Sequence, residues 1–598
     1  AVALVLCVYL LSVASQGVVG DKVYTVVANQ SASSCLSDNK TECSLMYYAA
    51  HPDQYFREDN TTFHFLPGQH ELVDSTLVLM ANISNLALYG TDVHEVTVVC
   101  SGEDSGGFSF YNVTNLTLKN LGLWNCSKRH RWLYDSVAVY IQQTVDVKMN
   151  RINIQNTPGL GLSLKNLYGN ISINNITVDY SHNTKMSKGI NFVYYCSYPY
   201  ENSLLVNNVK ISDSFFRHGI NNFDSVAPSS GITVGLLCSA NVSIVFDNVV
   251  VSGNQGKNGG NVFIEFTGWS TLWSISVSFL NSKILNGTAN SGGGICVFAI
   301  AGGVNSGHST LRSSTTILNV ENTHFEGNTA YHNGGAVYLR LTQNSQRDIG
   351  RIVFKNNCTF KRNQLVYHSH LHGGIAVCIL TFLLPSYDNH GTIFFEIEFS
   401  NCKFLENSVA QHSAAVPRTG ALYAECASSI TLRNCTFINN TCSGIVGIYS
   451  NFLLHGENKV SGNSAYKGGG LFFCSFSMMH LHNGTVLNIV NNHATLSGGG
   501  IYVDGECSPA VEFCLFQVDN VTADNATLQQ TQVRLINNTA VSGSALYGGL
   551  IDWCILYVKR GQKFSTSYPA KIFNNTFHIT TAKHDLSAIS SNPIYVRF

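Results

Sequence analysis

The second half of the chain repeats a unit in which an apolar-x-x-Asn tetrapeptide is followed by a Gly-Gly-apolar strand start. Residues 325–328 (FEGN) precede 334–338 (GGAVY), and residues 460–463 (VSGN) precede 468–472 (GGGLF). Further copies, most of them weaker, start at Val251, Ile284, Phe360, Phe404, Phe437, Ile489 and Leu535. Self-similarity with a period of a few tens of residues is typical of solenoids, so this repeat constrains the architecture more than any other feature.

One repeat, residues 316–341, divides into three short strands. Residues 317–322 alternate in polarity, as a half-buried strand does. A second strand is predicted around Phe325 and a third at 336–339, with Asn and Gly residues at the corners between them. This arrangement predicts one coil of a parallel β-helix, in which successive coils pair along the axis about 4.8 Å apart.

The segment Asn-Cys-x-Phe-x-x-Asn recurs with its cysteines at Cys358, Cys402 and Cys435. Because strand side chains alternate between two faces, Cys and Phe are predicted to point inward and to stack on their counterparts in neighbouring coils. We interpret these cysteines as buried apolar fillers, with disulfide formation as the alternative. The turn asparagines, which include Asn328, are expected to adopt a left-handed conformation. The Gly pairs allow positive φ and close stacking of the next coil.

The first half of the chain follows the same logic, since residues 115–126, 145–154 and 169–178 also alternate in polarity. We therefore predict a β-helix over residues 75–598. Residues 17–74 are predicted to form an N-terminal cap, because an open solenoid end is a sheet edge that invites aggregation. The sequence stops at Phe598 in what resembles mid-strand, so we expect the β-helix to be incomplete at its C-terminal end.

The N-terminus has the features of a secretory signal peptide. Residues 2–13 form a short apolar run, and residues 12–14 offer a small-x-small cleavage site. The run is too short to span a bilayer. Residues 1–16 are interpreted as a signal that is truncated, because neither an initiator Met nor a basic segment precedes it. The mature chain is predicted to be secreted or to reside at the cell surface.

About nineteen Asn-x-Ser/Thr sequons agree with that compartment, because such sites are N-glycosylation acceptors at the surface of secreted proteins. The glycosylation candidates are Asn82, Asn112, Asn115, Asn170, Asn175, Asn241, Asn357, Asn434, Asn483 and Asn537. Of the 18 cysteines, Cys7 lies in the predicted signal, which leaves an odd number. Cys35 with Cys43, and Cys507 with Cys514, are close enough in sequence to close small disulfide loops in an oxidising compartment.

Composition excludes several classes of protein. Charged residues make up only 12% of the chain and the formal net charge is −1, which argues against a nucleic-acid partner, since such binding requires a basic stripe. The longest internal apolar stretch, around residues 375–384, is too short to cross a membrane and is interpreted as a buried strand. We therefore predict no nucleic-acid partner, no cofactor and no membrane-spanning segment in this chain.

The repeat resembles that of the chlamydial polymorphic outer membrane proteins, which are β-helical surface adhesins. Residues 325–328 with 334–337 match that pattern fully, and residues 404–407 with 420–422 match it in part. The N-terminal region, with residues 65–70 (FLPGQH) and 83–90 (ISNLALYG), is similar to large secreted right-handed β-helix proteins of sponges and related simple animals. The resemblance implies an all-β fold, a single-stranded right-handed parallel β-helix (pectin-lyase-like) solenoid with an N-terminal cap.

Fold alone does not exclude an enzyme, because right-handed β-helices also include polysaccharide lyases, glycosidases and epimerases. Motifs resembling those of polygalacturonases are absent, and the carboxylates are scattered among coils without a paired motif. The best candidate cluster is Asp213 and Asp224 with Arg217 and His218. We interpret these four as polar residues of a surface loop.

Two other groups of residues could form a site. Alternating histidines could bind Zn or Cu if they lay on one strand face, and paired tryptophans could stack on a sugar. We interpret the histidines as loop residues and the tryptophans as buried packing. These candidates are His368, His370 and His372, more weakly His480 and His482, and the pair Trp269 and Trp273.

The sequence therefore predicts a non-enzymatic secreted glycoprotein rod that acts in adhesion, in the extracellular matrix or in recognition. Its expected partner is an extracellular glycan or protein ligand. No residue is assigned a catalytic, cofactor-binding or metal-binding role. The alternative is a carbohydrate-active β-helix enzyme, which clustered carboxylates with shifted pKa values would favour.

Overall fold

The chain was analysed as a computed structural model that describes part of the sequence. The described residues are 22–28, 35–36, 40–56, 58–73, 77–101, 106–126, 128–129, 136–157, 159–179, 188–194, 207–217, 231–236, 242–269, 275–301, 314–343, 349–366, 372–383, 395–410, 418–427, 429–474, 477–482, 484–504, 514–521, 532–542, 546–548, 554–560, 577–580 and 595–597. They fall into two compact units, Ala1–His182 (unit 1) and Asn183–Phe598 (unit 2).

Unit 1 is a stack of parallel strands with two short helices near its start, Leu45–Ala50 and Pro52–Tyr55. Ser44 caps the first helix, since its Oγ accepts a hydrogen bond from the backbone N–H of Tyr47 at 3.2 Å. The strands of unit 1 are Lys22–Val27, Glu42–Ser44, Thr61–Phe65, Gly68–Val73, Leu77–Gly90, Val96–Ser101, Phe108–Trp124, Lys128–Arg129, Ser136–Gln142, Val145–Gln155, Leu160–Lys165 and Tyr168–Asp179.

The parallel stacking of unit 1 begins at Lys22–Val27, inside the stretch for which the sequence predicts a cap. This strand pairs with Thr61–Phe65, and the ladder continues through the later strands to Tyr168–Asp179. An interior column runs through it, built from side chains that are at most 1% exposed: Phe63, Leu88, Leu118, Met149 and Ile173. Alternation of polarity in the sequence thus identifies the inward face of these strands.

Unit 2 repeats one coil in which three strands form three parallel ladders, named sheets 1, 2 and 3 in chain order. Sheet 1 contains Lys188–Tyr194, Ile232–Leu236, Val262–Trp269, Ile295–Ala301, Val337–Gln343, His372–Leu383, Arg418–Glu425, Ser443–Ile448, Leu471–Cys474, Ile501–Asp504 and Leu546–Gly548. Sheet 2 contains Asn207–Ser212, Val242–Asp247, Ile275–Leu280, Ser314–Glu321, Ile349–Lys355, Phe395–Ser400, Ile430–Arg433, Asn451–His455, Met478–Leu481, Cys514–Val521, Cys554–Arg560 and Tyr595–Arg597.

Sheet 3 consists mostly of three-residue strands, and a shorter fourth ladder follows it in several coils. Sheet 3 contains Phe215–Arg217, Val250–Ser252, Lys283–Leu285, His324–Glu326, Thr359–Lys361, Lys403–Leu405, Thr436–Ile438, Glu457–Ser461, Val486–Val490, Gln532–Ile536 and Phe577–Thr580. The fourth ladder contains Gln255–Asn258, Thr288–Ser291, Thr329–Asn333, Gln364–Leu365 and Ser408–Val409, with Ser464–Lys467 and His493–Ser497 as a separate pair. The predicted all-β parallel β-helix is confirmed, and the short fourth strand is an addition to the three predicted per coil.

Phenylalanines stack along the interior of unit 2, as the Asn-Cys-x-Phe segments predict. Phe325, Phe360, Phe404 and Phe437 pair in register, and their rings stack with centroids 4.9, 4.7 and 4.5 Å apart. All four are 0% exposed. Burying one such side chain is worth about 2–3 kcal/mol, and ring pairing adds about 1 kcal/mol.

The three cysteines of these segments are buried free thiols, which confirms their interpretation as fillers. They also act as donors. Cys358, Cys402 and Cys435 each direct Sγ towards a backbone carbonyl at the end of a sheet 2 strand in the preceding coil, at 3.2–3.3 Å. Thr323 places its hydroxyl in the same way, 3.3 Å from the carbonyl of Phe279. The thiol therefore replaces a buried hydroxyl at this corner.

Disulfides link two other pairs of cysteines among the described residues. Cys35 is bonded to Cys43, as the short loop between them predicts. Cys100 is bonded to Cys126 with a Cα–Cα distance of 4.8 Å, a pairing that the sequence did not indicate. The predicted pair Cys507 and Cys514 lies outside the residues whose side chains the structure describes.

The tetrapeptide asparagine does not occupy the left-handed position, which corrects the expectation for Asn328. The preceding residue, Gly327, has the positive φ of 66°, while Asn328 is 0% exposed and points inward. The prediction is right for another corner, between sheets 2 and 3, where Asn357 is exposed with a φ of 75°. The Gly pair is required as predicted: Gly334 has a φ of 64°, and a Cβ on Gly335 would lie 2.5 Å from the carbonyl oxygen of Ile375.

Buried asparagines form a hydrogen-bonded column along unit 2, which we name the amide column. Each Nδ2 donates to the Oδ1 of the next member at 2.8–3.0 Å. The members are Asn254, Asn261, Asn328, Asn363, Asn407, Asn440, Asn463, Asn492 and Asn538, all at most 2% exposed. A buried polar group is tolerated only when it is hydrogen-bonded, and here each amide satisfies the next.

Candidate functional site

The glycosylation candidates that the structure describes lie at the surface. Asn112, Asn170, Asn175, Asn357, Asn434 and Asn537 are exposed, and Asn115 is half-buried. The side chains of Asn82, Asn241 and Asn483 lie outside the described residues. Accessibility is a requirement for glycosylation and not proof of it, so occupancy at these positions stays a prediction.

The sequon asparagines of unit 2 whose side chains the structure describes lie at the two edges of sheet 3. Asn357 and Asn434 occupy the corner before a sheet 3 strand, and Asn286, Asn439 and Asn537 occupy the corner after one. All five have positive φ between 51° and 75°, a conformation that Asn tolerates better than most residues. The same residue type is therefore demanded by the corner geometry and by the glycosylation signal. No sequon asparagine lies within a described strand of sheet 1.

Of the candidate catalytic cluster, the structure describes Asp213 and Arg217. Asp213 is exposed, has a φ of 50° and accepts a hydrogen bond from Nδ2 of Asn248 at 2.7 Å. It thus occupies the corner position that Asn248 takes in the next coil, which is a structural role. Arg217 lies on sheet 3 with its guanidinium 5.8 Å from the ring centre of Phe215. Asp224 and His218 lie outside the described residues.

The histidine and tryptophan candidates do not assemble into a site among the described residues. His480 is half-buried on sheet 2, and the exposed ring of His482 lies 4.6 Å from that of His455. The described part of the chain contains no group of three or more His, Cys, Asp or Glu side chains arranged to hold a metal ion. The side chains of the remaining candidates lie outside the described residues; these are His368, His370, His372, Trp269 and Trp273.

Sheet 1 is unusual because its strands are buried on both faces. The strand Ser443–Ile448 is buried at every position. The outward-pointing row is apolar or aromatic along eight successive strands and consists of Phe263, Cys296, Tyr338, Cys378, Tyr423, Val446, Phe472 and Tyr502, all at most 7% exposed. Simple alternation of polarity, as seen in sheet 2, therefore does not hold on sheet 1.

Polar groups over this row are paired with one another. The hydroxyl of Tyr423 donates to the carboxylate of Glu425 at 2.8 Å, and Nζ of Lys467 donates to the hydroxyl of Tyr502 at 3.0 Å. Burial raises the pKa of the Tyr423 hydroxyl far above its ordinary value and also raises the pKa of Tyr502. Both phenols are therefore held in the neutral form and do not serve as bases near neutral pH.

One part of the outer face of sheet 1 is open to solvent. It is formed by Phe298, Arg340 and Phe382, which we name the Phe–Arg–Phe strip. Arg340 is exposed, and its guanidinium lies 5.5 Å from the ring centre of Phe298 and 5.4 Å from that of Phe382. The ring of Phe382 is 44% exposed. Cation–π contacts hold the guanidinium between the two rings, so the strip is preorganised.

Two carboxylates flank the strip along the row that contains Arg340. Glu265 pairs with Phe298, and Glu425 follows Leu380 on the other side. Each carboxylate is two strands from Arg340, or about 9.6 Å at the usual strand spacing, and neither forms an ion pair with it among the described contacts. Burial raises the pKa of Glu265. One ring, a donor and two acceptors in this row, with the ring of Phe382 in the next row, can bind a ligand by stacking and hydrogen bonding.

Sequence reasoning missed the strip because nothing in the local pattern marks it. Phe298, Arg340 and Phe382 belong to three different repeats, and only the register between coils brings them together. A weak signal exists at Arg340, a charged residue inside the apolar run at 337–341 of the strand Val337–Gln343.

Comparison with known proteins gives little beyond the fold. No protein-family model matches the chain, and no curated protein matches it. The solved A-module of mannuronan C-5 epimerase AlgE6 from Azotobacter vinelandii aligns with 9% identity over 84% of this chain and 91% of that chain, at a TM-score of 0.22. ORF18 of Geobacillus virus E2 aligns with 8% identity over 88% of this chain and 62% of its own, at a TM-score of 0.15. Similarity at this level says nothing about activity.

Within the part of the chain that the structure describes, no helix has the length and apolar character needed to cross a bilayer.

Proposed function

We propose that the chain is a secreted, N-glycosylated β-helix protein without enzymatic activity that binds an extracellular glycan or protein ligand in adhesion, matrix or recognition work. The resemblance to secreted sponge proteins and to chlamydial adhesin repeats is part of this proposal. The observation that carries it is the division of the surface of unit 2. The sequon asparagines whose side chains the structure describes in unit 2 lie at the edges of sheet 3, while the described strands of sheet 1 bear the exposed Phe–Arg–Phe strip and no sequon.

This division suits a binding protein because glycans are bulky and hydrophilic and block close contact where they are attached. A face that is to bind a ligand must stay free of them. Phe382 places an aromatic side chain that is 44% exposed beside the exposed guanidinium of Arg340. An aromatic side chain next to polar groups is typical of ligand sites, which supports a role in binding.

The absence of catalysis is supported by the state of the candidate groups. Asp213 is engaged at a structural corner, and the hydroxyls of Tyr423 and Tyr502 are paired and held protonated. None of the three is poised to remove a proton from a substrate. The alternative is a carbohydrate-active enzyme, a polysaccharide lyase, glycosidase or epimerase, that uses residues outside the described part of the chain.

The proposal is tested by expression in eukaryotic cells of residues 1–598 behind an added Met, beside residues 17–598 with the same Met. If residues 1–16 act as a signal, only the longer chain appears in the medium. Mass spectrometry of that chain is expected to find glycans at Asn357, Asn434 and Asn537. Intracellular retention of both chains, or unmodified asparagines at all three positions, would refute the proposal.

Enzymatic activity is examined on the same secreted protein. We expect no depolymerisation or epimerisation of neutral or acidic polysaccharides, followed by reducing-end release and by proton NMR. Turnover that survives repeated purification would replace the proposal with the enzyme alternative. The variant Asp213→Asn serves as a check, because Asn keeps the side-chain oxygen that accepts from Nδ2 of Asn248 and removes the carboxylate that an enzyme would need.

A further inference from the structure

We propose that the Phe–Arg–Phe strip, together with Glu265 and Glu425, is a binding site for an uncharged glycan chain. This inference rests on the proposed binding function and names the ligand class of sheet 1. It follows from three properties of the site: one exposed and one half-buried phenylalanine, a guanidinium held between their rings by cation–π contacts, and carboxylate acceptors on both sides of Arg340.

Ring faces favour a sugar over most other ligands. The face of an aromatic ring is electron-rich and attracts the slightly positive C–H groups of a pyranose. Phe382 offers such a face with 44% of its side chain exposed, and Phe298 lies half-buried beyond Arg340. The guanidinium fixes the spacing of the two rings. Little side-chain entropy is therefore lost when a ligand binds.

The charge arrangement selects an uncharged ligand. The row reads carboxylate, ring, guanidinium, aliphatic and carboxylate over five strands: Glu265, Phe298, Arg340, Leu380 and Glu425. A polyanion would be attracted at the centre and repelled at both ends, whereas a polycation would be attracted at both ends and repelled at the centre, so each charged ligand meets repulsion somewhere along the row. Hydroxyl groups act both as donors and as acceptors, so they can bond to carboxylate oxygens and to guanidinium N–H groups alike.

The acceptors are available to a ligand. Glu425 receives the Tyr423 hydroxyl at one of its oxygens, and a carboxylate has about four lone-pair sites. Both carboxylates are half-buried at the surface of the sheet, where hydrogen bonds are stronger than in bulk water. A glycan that runs along the β-helix axis would meet one row position at every strand, about 4.8 Å apart.

The test is isothermal titration calorimetry of the purified full chain with four hexasaccharides. Two are neutral, cellohexaose and laminarihexaose, one is acidic, hexagalacturonate, and one is basic, the hexamer of glucosamine. We expect at least one neutral probe to bind, with an affinity that changes less than twofold between low and high salt, because no net charge is neutralised. Phe382→Ala is expected to weaken binding roughly tenfold through loss of the stacked ring.

Phe215→Ala is the matched control, because Phe215 is 39% exposed and also contacts an arginine, but lies on sheet 3. It should leave binding unchanged. Arg340→Gln keeps a donor and removes the charge, so it should weaken binding of the neutral probe. Because the two carboxylates remain, any gain in affinity should be seen with the glucosamine hexamer and not with hexagalacturonate. Thermal melting of each variant, compared with the unmodified protein, shows whether the fold is retained.

Salt-sensitive binding of hexagalacturonate in preference to the neutral probes would overturn the uncharged-ligand inference while leaving a binding role for sheet 1. Failure of all four probes at millimolar concentration would overturn the glycan site. Binding that Phe382→Ala and Phe215→Ala reduce equally would also overturn it, since the contact would not be specific to the strip. In none of these cases does the result depend on secretion or glycan occupancy, which test the proposed function separately.

Discussion

Replacing Asn407 by Ala is expected to destabilise the coils around it by about 4 kcal/mol. Its Nδ2 donates to the carbonyl of Phe360 at 3.0 Å and to Oδ1 of Asn440 at 2.9 Å. Its Oδ1 accepts from the backbone N–H and from Nδ2 of Asn363, both at 3.0 Å. The substitution removes four buried hydrogen bonds, each worth about 1 kcal/mol, and leaves polar groups without partners in the interior.

The assay must report local stability, because a solenoid can open coil by coil and need not unfold in two states. Native-state hydrogen exchange at the backbone amides of Asn440 and Thr441 does this, because they donate to Oδ1 of Asn463 and to the backbone carbonyl of Asn407, bonds that the substitution leaves in place. A loss of about 4 kcal/mol corresponds to exchange that is about 10³ times faster. Gln364→Ala, an exposed neighbour of Asn363, is the control and should change protection by less than about 0.5 kcal/mol.

The variant Asn538→Ala is a milder substitution that can be measured if the Asn407→Ala variant does not fold. Asn538 makes three described side-chain bonds instead of four: its Nδ2 donates to the carbonyl of Ile489, and its Oδ1 accepts from the backbone and side chain of Asn492. Asn538→Ala should therefore cost about 3 kcal/mol. If either variant accelerates exchange by less than tenfold, the amide column does not stabilise the coils as argued.

Two further predictions concern titration and thiol chemistry. His70 is 2% exposed, and burial lowers its pKa, so the folded state disfavours the protonated form. Unit 1 should therefore be most stable above pH about 6.5 and should lose stability as the pH falls below that value. The melting temperature should depend less steeply on pH in His70→Gln than in the unmodified protein, and the exposed His94→Gln should leave this dependence unchanged. Iodoacetamide should alkylate the exposed Cys426 before the buried Cys358 and Cys402. The rate should rise with pH because the thiolate is the nucleophile, and partial desolvation and nearby Glu425 raise the pKa of this thiol, so the rise should occur at higher pH than for an unperturbed cysteine. Equal labelling of all three cysteines in the native protein, measured by peptide mass spectrometry, would contradict the burial described.

Sequence patterning predicts the interior of unit 2 well because interior columns repeat. Phe360 and Phe404 stand at the same place in successive repeats, and in-register stacking follows once the coil is recognised. The role of Asn407 could not be predicted as easily. A corner asparagine and a buried one look alike in a single sequence, and only the neighbouring coil shows whether the amide has partners.

The Phe–Arg–Phe strip could not be predicted from the sequence for a related reason. Outward rows of sheet 1 are built from one residue in each coil, so neighbouring members lie 23 to 45 residues apart in the chain. No local pattern separates the buried Tyr338 from the exposed Arg340, two positions later on the same strand. Exposure there depends on what covers the sheet, which alternation of polarity does not encode.

The coil that contains Gly287 shows that the amide column is maintained by geometry and not by sequence position. Gly287 stands where other coils have the column asparagine, and the gap is filled by Asn261 from the Gly-Gly turn of the preceding coil. Oδ1 of Asn261 accepts from Nδ2 of Asn254 at 2.9 Å, and its Nδ2 donates to Oδ1 of Asn328 at 3.0 Å. A Cβ on Gly287 would lie 2.4 Å from Nδ2 of Asn261, so only glycine leaves room for the side-chain amide of Asn261.

Asn261→Ala should therefore be as costly as Asn407→Ala, although Asn261 lies outside every tetrapeptide. It loses four bonds as well: those to Asn328 and to the carbonyl of Leu285, and two from Asn254. We expect a loss of about 4 kcal/mol, measured by hydrogen exchange at the amide of Gly287, which donates to Asn328. Asn258→Ala, in the adjacent short strand, is the control. A cost for Asn261→Ala no larger than that of the control would mean that the column is interrupted at this coil and that its continuity does not stabilise unit 2.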